Sequence, residues 1–196
     1  MSEILILYYS RNGSVEHLAN MIARGVAEAG SVARLRTVPA VSPNHVATEA
    51  SVPDSGAPFV TKQDLAECSG LIMGSPTRFG NMAAPMKYFW DNTGAEWASG
   101  TLVGKAAGVF TSSASMHGGQ ESTLLSMMLP LLHHGCLLVG VPFTEAALSN
   151  TQTGGTPYGA SHVSGTDGKK AFSDDENVIA KALGKRIAQI SRKLSA

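Results

Sequence analysis

The stretch from Ile4 to Val26, ILILYYSRNGSVEHLANMIARGV, decides the fold. Ile4–Tyr9 is a continuous apolar run rich in strand formers, the pattern of a strand buried on both faces. It stops abruptly in Ser10-Arg11-Asn12-Gly13-Ser14. Val15, Leu18, Ala19, Ile22 and Val26 then recur at helical spacing, and Gly30 follows as a stop. A buried strand that ends in small polar residues at the mouth of a helix reads as one unit of a parallel α/β sheet.

The same alternation continues outward. In Val32–Val38, Ala33 and Leu35 alternate with Arg34 and Arg36, as in an edge strand with one wet side. GLIMGS (Gly70–Ser75), KAAGVF (Lys105–Phe110) and CLLVGV (Cys136–Val141) read as three further buried strands. Between them lie helical patterns over Asn81–Gly94, with Pro85 near its start, and Gln120–His134, with Pro130 inside it. Thr61-x-x-Asp64 has the spacing of a capping box that opens a short helix. Asp174–Leu194 closes the chain as a helix with Val178, Ile179, Ala182, Leu183, Ile187, Ile190 and Leu194 on one side. Residues 39–63 hold four prolines and read as a surface excursion; Phe143–Phe172 is rich in Gly, Ser and Thr and reads as irregular. The expected architecture is one α/β domain over residues 1–196. It is a five-stranded parallel sheet covered on both faces, with an irregular insertion at about 143–172.

Composition narrows the function. Apolar residues make up 43% of 196, enough for a sizeable core. Lys+Arg and Asp+Glu are 15 each, so no basic excess favours nucleic acid and no acidic excess favours a cationic partner protein. Cys68 and Cys136 stand far apart without a CxxC pattern and read as reduced thiols. The N-terminal apolar run is too short for a secretion signal and is preceded by Glu3, and no run reaches membrane-spanning length. A cytoplasmic protein without membrane insertion is expected.

In such sheets ligands sit at the C-terminal ends of the strands. Three loops lie there. In Ser10–Val15 the helix N-terminus offers unpaired N–H groups, and Ser10, Asn12 and Ser14 add side-chain donors while Gly13 permits a tight turn. Neither GxxxxGK[ST] nor GxGxxG is present, so the loop suits a phosphate monoester. An ordinary βα turn with helix-capping residues explains it equally. In SPTRFGNMAAPM (Ser75–Met86), Pro76 fixes a turn, Gly80 frees the backbone and Asn81 can cap the next helix. Thr77, Arg78 and Phe79 point toward whatever lies over the strand ends, and Phe beside Arg suits a flat, polar-edged ring. A turn with an inward Phe79 and a solvated Arg78 is the structural alternative. In TSSASMHGGQES (Thr111–Ser122) hydroxyl residues and paired glycines follow a buried strand, with His117 as its central titratable group. His133-His134 closes a helix, where imidazolium is structurally favourable, and no third ligand has metal-site spacing with the pair, so no metal is expected.

Taken together these motifs resemble the WrbA family of flavodoxin-like NAD(P)H:quinone oxidoreductases. The shared elements run the length of the chain: LYYSRNG (Leu7–Gly13), GSPTRFGNM (Gly74–Met82), WASG (Trp97–Gly100), GGQE (Gly118–Glu121), HHG (His133–Gly135) and GGTPYGAS (Gly154–Ser161). The resemblance implies a flavodoxin-like sheet of strand order 2-1-3-4-5 and non-covalent FMN. It implies that Ser10, Arg11, Asn12, Gly13, Ser14 and Val15 surround the phosphate. Pro76, Thr77, Arg78, Phe79, Gly80 and Asn81 would border the isoalloxazine ring. Ser112, Ser113, Ala114, Ser115, Met116, His117 and Gly118 would hold its pyrimidine side and ribityl chain. Trp97, Asn12 and His133 would line the space for nicotinamide or quinone, in a homotetramer whose neighbouring subunits complete each pocket. Two departures mark this chain. Asn12 stands where many members carry a Tyr that helps hold the nicotinamide nucleotide, and the loop with Met116 and His117 is of the form found in bacterial p-benzoquinone reductases.

The implied reaction is two-electron, ping-pong reduction of a quinone by NAD(P)H through the flavin N5 position. Arg78 and backbone N–H groups near Ser115–Gly118 are candidates for stabilising the reduced pyrimidine ring, and His133 for positioning or protonating the quinone oxygen. The alternatives are a flavodoxin-type one-electron carrier, against which zero net charge weighs, and a flavin-free protein-interaction module.

Overall fold

A computed structural model describes residues 2–42, 53 and 55–195. The strands are β1 (Glu3–Tyr8), β2 (Val32–Thr37), β3 (Gly70–Arg78), β4 (Asn81–Met82), β5 (Ala106–Ser113), β6 (Leu137–Leu138) and β7 (Ala160–Val163). The helices are α1 (Ser14–Glu28), α2 (Lys62–Glu67), α3 (Ala84–Asp91), α4 (Gly94–Ala98), α5 (Gln120–His133), α6 (Ala146–Asn150) and α7 (Asp174–Leu194). The sheet runs β2-β1-β3-β5-β6, with every one of these pairs parallel. Read by position, that is the expected 2-1-3-4-5 order. The proline-rich excursion expected over 39–63 lies partly outside the described residues.

Strand alternation builds two cores. Ile4, Ile6, Tyr8, Ile72 and Phe110 face one side, where α1 and α7 contribute Val15, Leu18, Ile22, Ile179, Leu183 and Ile187. Leu5, Leu7, Leu71, Met73 and Val109 face the other, against Leu65 of α2, Met86 and Trp90 of α3, and Leu124, Met127 and Leu131 of α5. Two glycines set how closely α1 and α7 approach. A Cβ on Gly25 would lie 1.9 Å from the Lys181 carbonyl oxygen, and one on Gly184 would lie 2.1 Å from that of Ile22. The buried stripe of α7 therefore runs through Ile179, Ala180, Leu183, Gly184, Ile187, Ala188 and Ser191, while Val178 and Leu194 are exposed. Burial pushes the Cys136 thiol up to about 12 and raises that of Cys68, so neither is a reactive thiolate at neutral pH.

Three expectations are corrected. Cys136–Val141 is not one full strand: only Leu137 and Leu138 form β6, and the chain leaves the sheet where Val141 N–H bonds the Pro157 carbonyl. The fifth sheet position is completed by β7, which pairs with the upper half of β5 from Phe110↔Ala160 to Ser113↔Val163. Phe143–Phe172 thus carries both α6 and β7 and is not irregular throughout. Finally, Asn81 does not cap α3, whose N-cap is Ala83. Asn81 belongs to β4 and its side-chain oxygen accepts from Met82 N–H. By contrast the capping box at Thr61 and Asp64 is present in full.

Candidate active site

The C-terminal ends of β1, β3 and β5 enclose a cavity of about 250 Å³. Its walls are the first loop (Ser10, Arg11, Asn12, Ser14, Val15), the end of β3 (Pro76, Thr77, Arg78) and the end of β5 with its loop (Ser112, Ser113, Ala114). The remaining wall is Ser164, Gly165, Thr166, Asp167 and Gly168. Arg11 and Arg78 place two cations against the single carboxylate of Asp167.

The first wall is an uncapped helix start. Gly13 occupies the N-cap position at φ 86°, and no side chain caps the first turn of α1. The Ser10 hydroxyl accepts from Gly13 N–H at 3.2 Å and fixes the loop below that turn. A Cβ on Gly13 would meet nothing within 4 Å, so the loop faces open space. Such a turn presents N–H donors and the positive end of the helix dipole.

The second wall is a hairpin. Thr77 pairs with Met82 and Arg78 with Asn81, leaving Phe79-Gly80 as a two-residue loop. Both loop residues have positive φ, 52° for Phe79 and 78° for Gly80, as a type I′ turn requires. Phe79 is fully exposed at its tip. The hairpin backs onto α5: Thr77 and Thr123 hydroxyls are 2.7 Å apart, and Ser126 donates to the Asn81 side-chain oxygen. Gly119, at φ 100°, sits so close that a Cβ would lie 3.1 Å from the Gly80 Cα.

The third wall is organised by one carbonyl. The Ser115 oxygen accepts from the Ser113 hydroxyl, the Gln120 amide and Gly118 N–H. Gly118 N–H is therefore already engaged within the loop, while Ser112 and Ser113 are buried at the strand end.

Of the residues expected from sequence, eleven line the cavity together: Ser10, Arg11, Asn12, Ser14, Val15, Pro76, Thr77, Arg78, Ser112, Ser113 and Ala114. Gly13, Phe79, Gly80, Asn81, Ser115, Met116, His117 and Gly118 lie in the same loops outside its lining. Trp97 and His133 lie elsewhere in the chain. Trp97 donates its indole N–H to the His133 carbonyl at 2.8 Å, and both side chains are exposed. His133 ends α5, whose 14 residues span about 20 Å from the start that faces the hairpin. Ser164–Gly168 is the part that sequence reasoning missed. Its signal was the Gly165 and Gly168 pair around Asp167 in a segment read as irregular.

A doubly wound parallel sheet with its cavity over the strand ends, beside an open helix N-terminus, defines the flavodoxin-like class. Solved structures agree on the fold. A WrbA-like flavodoxin protein from Agrobacterium tumefaciens superposes with a TM-score of 0.69 at 22% identity, over 98% of this chain and 99% of that one. The two-electron reduced flavodoxin of Megasphaera elsdenii superposes with a TM-score of 0.59 at 17% identity, over 95% and 98%. Residues 3–146 match the NADPH-dependent FMN reductase family, and the chain belongs to it. Among curated relatives it is 46% identical to an NAD(P)H dehydrogenase (quinone) of Chromohalobacter salexigens and 44% identical to one of Gluconacetobacter diazotrophicus, each over the full length of both chains.

Proposed function

We propose that this chain is an FMN-dependent NAD(P)H dehydrogenase that reduces quinones by two electrons. The observation that carries the reading is the cavity. An open helix start, five serines and two guanidinium groups line the cavity at the strand ends of a chain whose full-length relatives are quinone dehydrogenases. That donor set fits FMN. The first turn of α1 with Ser10, Asn12, Ser14 and Arg11 would hold the phosphate. Thr77, Arg78 and the Ser112–Ala114 segment would border the ring, with Phe79 as a flat apolar side. When bound, FMN supplies a ring that takes a hydride from NAD(P)H and returns the electrons to a quinone in two half-reactions at one site.

The chain's own residues orient and polarise. Arg78 anchors one hydrogen bond on the Thr77 carbonyl and is exposed, so its remaining donors are available to an anionic ring edge. Gly118 N–H is bonded to Ser115, so Arg78 is the stronger of the two candidates for that charge. We further take the enzyme to be cytoplasmic and homotetrameric, with residues 1–196 as one domain. Exposed Leu125, Leu129 and Leu132 follow one another at i, i+4 and i+7 along α5, which supports self-association on that face. In that assembly Trp97 and His133 would complete the substrate space of a neighbouring copy, since His133 ends α5 far from the helix start at the hairpin and Trp97 of α4 is bonded to its carbonyl.

Anaerobic stopped-flow of FMN-loaded protein tests the reading. Mixing with NADH or NADPH should bleach the flavin rapidly, and a second mix with benzoquinone should restore its colour. Initial rates should give parallel double-reciprocal lines. Protein that takes up no FMN at micromolar concentration, or flavin that neither nucleotide bleaches, would overturn it. Arg78→Ala should slow bleaching about a hundredfold if the guanidinium meets the developing charge.

A further inference from the structure

The wall formed by residues 164–168 is the one that no βα unit of the sheet supplies. It follows β7 directly, and Ser164 holds it to β5 with both its N–H and its hydroxyl on the Ser113 carbonyl. Opposite stands the start of α1; a Cβ on Gly168 would lie 3.7 Å from the Asn12 amide nitrogen. Three aromatic rings connect the two sides behind the cavity. Phe172 stacks on His162 at 3.7 Å and 15°, and its other face stacks on His17 at 3.9 Å and 24°.

Each end of this stack is fixed. His162 is fully buried on β7, with Nδ1 3.1 Å from Glu176 Oε2. Glu176 also accepts from Gly154, Val163 and Ser173 N–H, which locks the ring's platform to the start of α7. His17 lies in α1, where its N–H makes the first helical bond, to the Gly13 carbonyl at 2.8 Å. Its Nε2 is 3.0 Å from the Asn177 side-chain oxygen of α7. The stack thus joins the residue directly behind the open turn of α1 to the strand that carries the opposite wall.

We propose that Phe172, held between His17 and His162, is a positioning residue for the phosphate end of the bound flavin, because it sets the separation between the α1 start and the 164–168 wall. The proposal rests on the flavin reading above. Recognition by backbone N–H groups tolerates errors of only about half an ångström, so a stack that fixes two walls against each other bears on affinity at that end alone.

The experiment compares FMN with riboflavin, which has the same ring and ribityl chain without the phosphate. Dissociation constants are read from flavin fluorescence quenching by the stripped full-length protein. Phe172→Leu should raise the FMN constant about tenfold while leaving that of riboflavin unchanged. Phe172→Tyr, which keeps the stack, should restore FMN binding. His17→Gln alters a half-buried residue and removes one face of the stack. It should shift the FMN to riboflavin ratio in the same direction, and it decides the matter if Phe172→Leu does not fold. Parallel loss of both ligands, or no change in either, would sink the stack's role while leaving the flavin reading intact. Wild-type protein without FMN affinity would overturn both.

Discussion

Two helix starts in this molecule solve the same problem in opposite ways. At the start of α7, Ser173 accepts from Glu176 N–H and Glu176 returns a bond to Ser173 N–H, while the same carboxylate takes up Gly154 and Val163 N–H and faces His162. The donors there are satisfied from within. The start of α1 has a glycine at its N-cap and no side-chain cap; the side-chain bond there runs from the N-cap N–H itself back to the Ser10 hydroxyl. α2 follows the closed pattern, with Thr61 and Asp64. A helix end left open is destabilising unless water or a ligand completes it, by about 1 kcal/mol for a missing cap. The starts of α3, α4, α5 and α6 also lack a side-chain cap, so an open end alone marks no site; that of α1 is set apart because its first turn lines the cavity.

Glu176 offers the largest way to break the closed side. Glu176→Ala strips one carboxylate from two buried backbone N–H groups, a part-buried one and a buried histidine, and should cost about 4 kcal/mol in urea or thermal unfolding. The charge also carries a pH signature. Burial alone would raise the Glu176 pKa, but hydrogen bonds from His162, Ser173 and Gly154 overcome it and hold the group at about 2 against an ordinary 4.5. A carboxylate depressed on folding contributes stability that is whole above 4.5 and is lost as pH falls from there toward 2. The wild type should therefore lose stability over that window more steeply than Glu176→Gln. Equal slopes would show that the cluster does not depend on the charge.

Ser14→Asp tests the open side, with effects of opposite sign on fold and function. A carboxylate in the first turn of α1 meets the positive end of the dipole and should stabilise the protein by about 0.5 kcal/mol. The same charge faces the proposed phosphate and should raise the FMN dissociation constant about a hundredfold. Thermal melts and fluorescence titration separate the two. A variant that gains stability and keeps its flavin would mean that this helix start is open for some other reason.

These contrasts were unevenly legible in the sequence. The capping box at Thr61 could be read from spacing because all its parts lie within four residues, and the buried strands from their unbroken apolar runs. ASHV (Ala160–Val163) could not. It is short, and its polar Ser161 and His162 look solvated until Glu176 arrives from α7 to pair with the histidine. The apolar CLLVGV misled in the other direction. A Cβ on Gly140 would lie 2.1 Å from the Pro157 carbonyl oxygen, so the chain there packs against its own insertion and leaves the sheet position to β7. The 164–168 wall was missed for the same reason: its place depends on β7. Three walls of the cavity were readable because each follows its strand directly.

Phe79 is the smallest and sharpest test, because the same local comparison applies within one turn. Gly80 meets the left-handed requirement of the hairpin at no cost, whereas Phe79 meets it at φ 52° with its ring fully exposed. A bulky residue in that region is strained, and Asn is the residue the turn prefers there. Phe79→Asn should therefore stabilise the fold by about 0.5 kcal/mol in thermal unfolding. If the ring serves as the apolar side of the flavin, the same change should weaken FMN and riboflavin binding together, by about threefold to tenfold. That pattern differs from the phosphate-specific loss expected at Phe172, so the two variants measured side by side separate the ring end of the site from its phosphate end. A stabilised variant with unchanged affinity for both ligands would remove Phe79 from the flavin site, and the strain at its turn would then need another beneficiary on the exposed face of the hairpin.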